Sequence, residues 1–164
     1  MKNTLFLLTS LFVLNSYSQE KKMWAKSIIN QKAPELTVEK WLSEKPNTKG
    51  KFVLIDFWAT WCGPCKRAIP DLNKFKTEFE NDLIVIGISD ESKDEINKLT
   101  SPKIEYYSAM DTQRKMYNLL EVRGIPHCVL IDPNGIVRWE GYPILTGFEL
   151  TSKVIKDIIE KYKQ

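Results

Sequence analysis

Cysteine is scarce: 164 residues carry three, Cys62, Cys65 and Cys128. An odd, small set does not supply the even disulfide framework that braces small exported domains. Histidine occurs once, at His127, and a lone histidine is more often incidental than functional. No basic block stands out beyond a modest lysine excess near the C-terminus, and the formal net charge is only +3. A nucleic-acid partner, which wants clustered Lys and Arg, is therefore not expected. There is no internal repeat and no low-complexity segment. No apolar run approaches the roughly 20 residues that a membrane-spanning helix needs.

What is present suits one globular domain, with 43% hydrophobic and 27% charged residues. Residues 1–18 have the pattern of a secretory signal peptide. Lys2 supplies the positive start, Leu5 to Leu14 the apolar core, and Ser16-Tyr17-Ser18 the small residues before a cleavage expected ahead of Gln19. An uncleaved leader kept as an anchor is the alternative. No cysteine lies beside the cleavage point, so lipid attachment there is not indicated. The leader predicts a periplasmic or other extracytoplasmic location.

Residues 19–32 read as an irregular lead-in, and the polar stretch as far as Thr48, broken by Pro34 and Pro46, is expected to be loosely held. "GKFVLIDFW" and "DLIVIGISD" are continuous apolar runs of the kind that form strands covered on both faces. Between them, Ile69, Leu72, Phe75 and Phe79 recur at helical spacing, with Pro70 inside the pattern. "ESKDEINKLT" predicts a second helix, "IEYYSAM" a short strand, and "DTQRKMYNLLEV" a third helix with Asp111 as its N-cap. "PHCVLID" and "IVRWEGY" flank Asp132-Pro133-Asn134-Gly135 and predict an antiparallel hairpin. A terminal helix follows, its apolar stripe expected at Leu150, Val154, Ile158 and Tyr162. This order predicts an α/β sandwich around a mixed sheet.

The chemistry centres on "FWATWCGPCKRAIP". A buried strand delivers Cys62 to the first turn of a helix, where free backbone N–H groups and the helix dipole favour thiolate over thiol. Cys65, one turn on, is expected to be more buried and less acidic. Cys62 is thus the candidate nucleophile and Cys65 the thiol that resolves the mixed disulfide. Asp56 interrupts the apolar run "VLIDFW". If buried, its pKa rises and it can exchange protons with Cys65 near neutrality, through water, as a general base or acid; an edge-facing aspartate in solvent is the plain alternative.

"DFWATWCGPC", Pro70 eight residues after Cys62, and "GIPHCVLIDPNG" together resemble the thioredoxin superfamily, and the element order resembles its exported TlpA/ResA-like branch. The resemblance implies a thioredoxin-like three-layer sandwich over residues 33–164 with a central mixed sheet. It implies an extracytoplasmic protein thiol-disulfide oxidoreductase needing no cofactor beyond its redox-active Cys62/Cys65 disulfide. It further implies a cis Ile125-Pro126 bond beside the dithiol, with the backbone of Ile125 pairing with an extended substrate strand. Trp61, Gly63 and Pro64 join Ile125 and Pro126 as the candidate substrate-binding set. Gly63-Pro64 resembles the reducing members, whose couple lies near about −270 mV, and not the strong oxidants near −120 mV. A reductant in an oxidising compartment needs a membrane electron donor. The expected partners are proteins carrying disulfides or dithiols, and the chain is expected to be a monomer.

Two positions depart from the family pattern. Ala68 stands where many TlpA-like chains have Glu, which weakens any assignment to cytochrome c maturation. Gly87 stands where thioredoxins usually place a lysine near the buried aspartate, leaving Asp56 without an obvious counter-charge. Lys66, His127 and Cys128 are accessory candidates: Lys66 as an electrostatic aid to the thiolate, His127 at the substrate rim on the face opposite Pro126, and Cys128 beneath the dithiol near Asp56. For Cys128 the plain reading, a small buried hydrophobe, is favoured. Trp58 is expected in the core, and Trp24, Trp41 and Trp139 are expected to pack.

Two other function classes compete with this one. A copper or zinc metallochaperone would use Cys62, Cys65 and His127, because thiolates with imidazole suit those metals, although no metal site is expected. A peroxidatic enzyme lacks its Pro-x-x-x-Thr-x-x-Cys arrangement, since Leu54 occupies the proline's place.

Overall fold

The computed structural model describes residues 23–163, so the predicted leader and its cleavage point lie outside the described residues. Among the described residues no helix is long and apolar enough to cross a membrane. Ten elements follow one another: β1 (Lys40–Trp41), β2 (Phe52–Trp58), α1 (Gly63–Glu78), β3 (Leu83–Ser89), α2 (Lys93–Ile96), β4 (Tyr107–Met110), α3 (Lys115–Leu119), β5 (His127–Ile131), β6 (Val137–Gly141) and α4 (Ser152–Tyr162). The strands form one sheet in the order β1-β4-β3-β2-β5-β6. β2, β3 and β4 run parallel, whereas β5 lies antiparallel to β2, β6 to β5, and β1 to β4. This is the predicted mixed sheet.

Alternation along the strands sends side chains into two separate cores. Leu54, Val85, Cys128 and Leu130 meet Ala68, Ile69, Leu72 and Phe75 of α1 and Ile155 and Ile159 of α4. On the other face, Ile55, Phe57, Ile86, Ile88 and Val129 meet Met116 and Tyr117 of α3. Each fully buried aliphatic or aromatic side chain here is worth about 1.5–3 kcal/mol relative to exposure. These two layers of apolar contact fix β2 at the centre of the sheet, and with it the residues that β2 carries toward α1.

The lead-in differs from expectation. Its backbone is irregular, but it is not loosely held. Asn30 and Ala33 donate to the carbonyls of Val137 and Gly135, and Val137 donates to Gln31. The buried Glu140 carboxylate accepts from Ile28 N and from the Ser27 hydroxyl. Ala25, Ile28, Ala33, Leu36 and Val38 then close the α3 face of the core. Breaks at Pro34 and Pro46 rule out long elements there without ruling out docking.

Three helices also depart from the reading, and the first of them, α2, covers only Lys93–Ile96 of the expected "ESKDEINKLT". α3 starts at Lys115 behind Arg114, whose φ of 55° is left-handed and which makes no side-chain cap. Asp111, the expected N-cap, instead reaches forward, its carboxylate accepting from Lys115 N at 3.0 Å and Met116 N at 2.8 Å. In α4 the deeply buried positions are Ile155 and Ile159, while Val154, Ile158 and Tyr162 are only half-buried. The hairpin turn is as expected: Gly135 takes φ of 77°, and Asp132 Oδ1 accepts from Asn134 N and Ile136 N.

One close approach decides how tightly the centre packs. Gly87 sits opposite Asp56 in the β2/β3 register, and a Cβ there would lie 2.9 Å from Tyr106 Cε2 and 3.0 Å from Trp58 Nε1. Both are ring atoms in packed side chains, which cannot swing aside. Gly87→Ala should therefore destabilise the fold by about 1–3 kcal/mol, the usual cost of overpacking, read as a lower denaturation midpoint with unchanged slope. An unchanged midpoint would show that the rings have room to yield.

Candidate active site

The end of β2 and the start of α1 build the dithiol. Cys62 is the N-cap of α1, in extended conformation, with Pro64 in the first turn where its missing N–H costs nothing. The Cys62 sulfur accepts from Cys65 N at 3.2 Å. The two cysteines are joined as a disulfide with Cα atoms 5.2 Å apart. The expected contrast in burial is small, since Cys62 and Cys65 are 3% and 1% exposed. The contrast lies in position instead. Only Cys62 caps the helix, where N–H groups and the macrodipole favour negative charge.

Its neighbours differ in exposure. Trp61 is 70% exposed, whereas Trp58 is fully buried against Cys62 and Cys65. Gly63, Pro64 and Lys66 are half-buried and Arg67 is exposed. The loop before Cys62 is held by a residue the sequence reading missed. Glu91 accepts from Thr60 N and Thr60 Oγ1, both at 2.6 Å, and from Ser89 Oγ at 3.2 Å. Glu91 lies just past β3 in a polar stretch, and nothing in the local pattern marks it as a tether.

Asp56 is buried, 1% exposed, so the solvent-facing alternative is excluded. It pairs with Cys128 across β2 and β5. Cys128 Sγ donates to Oδ1 at 3.4 Å, and the Tyr106 hydroxyl donates to Oδ2 at 3.2 Å. Burial raises the Asp56 pKa to about 7, against the lowering effect of these two bonds. The same burial, with the Asp56 charge next to it, pushes the Cys128 thiol and the Tyr106 hydroxyl well above their ordinary values. Both therefore stay protonated donors at neutral pH. Tyr106 was not among the expected site residues; the only sequence signal for it was a glycine in the middle of β3.

The Ile125-Pro126 bond is cis. Pro126 is buried and Ile125 half-buried. Ile125 joins Trp61, Gly124, Arg123, Arg114 and Asp90 around an open groove of about 290 Å³ beside the dithiol. His127 corrects the reading that placed it at the substrate rim. It does face away from Asp56 and Cys128, but that face is covered, so His127 is 3% exposed with its ring 6.3 Å from that of Phe57. Cys62, Cys65 and His127 do not form a ligand set, and among the described residues no group of three or more His, Cys, Asp or Glu could hold a metal ion.

The sequence profile of the AhpC/TSA family matches residues 29–140. Thioredoxin-like protein YneN of Bacillus subtilis is 27% identical over 77% of this chain and 79% of its own length. Thiol-disulfide oxidoreductase ResA of the same organism is 27% identical over 73% of this chain and 66% of its own length, so this chain spans just under two thirds of that relative. The thioredoxin domain of a thiol-disulfide oxidoreductase from Bacteroides vulgatus superimposes with a TM-score of 0.66 at 22% identity, covering 85% of this chain and all of that domain. The fold is thioredoxin-like, and with the profile covering most of its length the chain belongs to the AhpC/TSA family.

Proposed function

We propose that this thiol-disulfide oxidoreductase reduces disulfides of protein substrates outside the cytoplasm, with Cys62 as nucleophile, Cys65 as resolving thiol and Asp56 as proton acceptor. The observation that carries the reading is the Cys62 sulfur capping α1 and accepting from Cys65 N. The Cys62 thiolate attacks a substrate sulfur, forming a mixed disulfide and expelling the other substrate sulfur as a thiolate. Cys65 then passes its proton through water to the Asp56 carboxylate and attacks the Cys62 sulfur. The Cys62/Cys65 bond forms, the second substrate thiol leaves, and two electrons have moved to the substrate.

Exposed Trp61 and the groove along Ile125 give an extended segment an apolar contact and a backbone edge beside the disulfide. Gly63-Pro64 favours the reducing direction. The leader-like residues 1–18 support export, and in an oxidising compartment a membrane dithiol donor must restore the reduced form. The protein works as a monomer in this reading. The metallochaperone alternative gains nothing from the placement of His127.

Insulin reduction driven by dithiothreitol should disappear in Cys62→Ser, whereas Cys65→Ser should accumulate a mixed disulfide visible on non-reducing gels. The couple should equilibrate near about −270 mV against glutathione or dithiothreitol buffers. A value near −120 mV would reverse the assigned direction.

Asp56 generates a further expectation. Its folded pKa of about 7 lies above the ordinary 3.8, so between these values the folded chain holds a proton that the unfolded chain has released. The associated stability is complete below the unfolded value and is lost as pH rises through the folded one. Asp56→Asn should therefore match the parent near pH 3 and exceed it at pH 8, by up to about 4 kcal/mol, in chemical denaturation. The same variant should resolve mixed disulfides on the order of a hundredfold more slowly at pH 8. Equal stability of parent and variant at both pH values would show that the carboxyl is not held neutral by burial.

A further inference from the structure

The Asp56 carboxyl has two hydrogen-bonded partners, and neither bears a charge. One, Cys128, is its register partner on β5. The other, Tyr106, precedes β4 and arrives from outside the pair of strands that flank β2. Its ring can enter because β3 carries Gly87 opposite Asp56, a position where a side chain would strike Tyr106 Cε2. Gly87 and Tyr106 thus form one device: the first vacates the space, and the second fills it with a hydroxyl aimed at Oδ2.

We propose that Tyr106 is the positioning residue of Asp56, its hydroxyl orienting the carboxylate and keeping it ionisable on the α1 face of the sheet. This rests on the reading of Asp56 as the proton acceptor for Cys65.

The other groups around Asp56 cannot do the same task. Cys128 is a weak donor at 3.4 Å. From β2, Trp58 has a buried Nε1 with no hydrogen-bond partner, so it adds no bond to the carboxylate. From α3, the Tyr117 hydroxyl is spent on the carbonyls of Trp58 and Ile88, and its acidity is lowered by burial first and by Asp90 and Asp56 next. From α1, Cys62 and Cys65 are bonded to each other. Beyond Tyr106 lies an open groove of about 360 Å³ whose one charged lining residue, among the described residues, is Lys103.

Tyr106→Phe keeps the ring and its packing and deletes only the donor. Losing one hydrogen bond to a charged group raises a carboxyl midpoint by about one pH unit. From a midpoint near 7, that leaves roughly a fifth as much carboxylate at pH 7. The test follows resolution of a preformed mixed disulfide, in the full chain, by rapid quench across pH 5 to 10. The expected result is a rate limb displaced to higher pH, an approximately fivefold loss at pH 7, and recovery by about pH 9.

A limb that stays in place, or a loss equal at every pH, overturns the proposal, because a merely structural defect gives the latter. Site-specific 3,5-difluorotyrosine at position 106 provides a second variant, one that keeps the hydroxyl and makes it a stronger donor. Its stronger donor should move the Asp56 carboxyl midpoint downward in a carbon-13 NMR titration, and no movement again overturns the proposal. Asp56→Asn separates the two layers of argument. If that variant retains the parent limb, the role of Asp56 itself fails. If it flattens the limb while Tyr106→Phe leaves it unmoved, only the inference about Tyr106 fails.

Discussion

A carboxyl group 1% exposed in the central strand of a six-stranded sheet is the constraint around which this molecule is arranged. Burying an ionisable group without a charged partner is costly, and proteins meet that cost by hydrogen bonding, by neutralising the group, or by both. Here both occur. Two uncharged donors reach the two oxygens of Asp56, and the pKa still rises to about 7. The surrounding apolar layers must supply the stability that this site withholds above neutral pH. They do so on two faces, with α1 and α4 on one and α3 with the lead-in on the other.

The lead-in is docked on the other face of the same sheet. Ala25, Ile28, Ala33, Leu36 and Val38 pack against the cluster that holds Ile55, Phe57 and Val129. Hydrogen bonds from residues 28–33 to β6 and its turn, with the Glu140 carboxylate as an anchor, keep that face dry. A low-dielectric environment strengthens every interaction that Asp56 makes.

Much of this was legible in the residues. The apolar runs gave β2 and β3 because a strand covered on both faces has no polar alternation to disguise it, and Asp56 stood out as the one break in that run. Register arithmetic from Pro126 placed Cys128 near Asp56, since period-two alternation needs no knowledge of tertiary packing. His127 shows the limit of the same arithmetic: alternation assigns a face but not whether that face is covered, and here it is. Tyr106 was hidden because it falls just before β4, inside the run expected as a strand, and meets Asp56 through the gap at Gly87. Glu91 was hidden because it opens the run expected as the second helix, while its tie to Thr60 spans two loops. The start of α3 was misplaced because a left-handed Arg114 lets Asp111 serve the helix from an extra turn away.

The three cysteines show how environment, and not residue type, divides the work. Cys62 sits where a helix presents unpaired N–H groups, so negative charge on its sulfur is favoured. Cys128 sits against a carboxylate in the apolar interior, so burial first and the Asp56 charge second push its thiol up. A thiol held protonated is neither a nucleophile nor a ready partner for exchange. In that environment Cys128 stays a thiol at neutral pH. The odd thiol instead donates to Asp56 Oδ1 on the side away from Tyr106. The two donors thus reach different oxygens of one buried carboxyl, whose pKa burial raises to about 7.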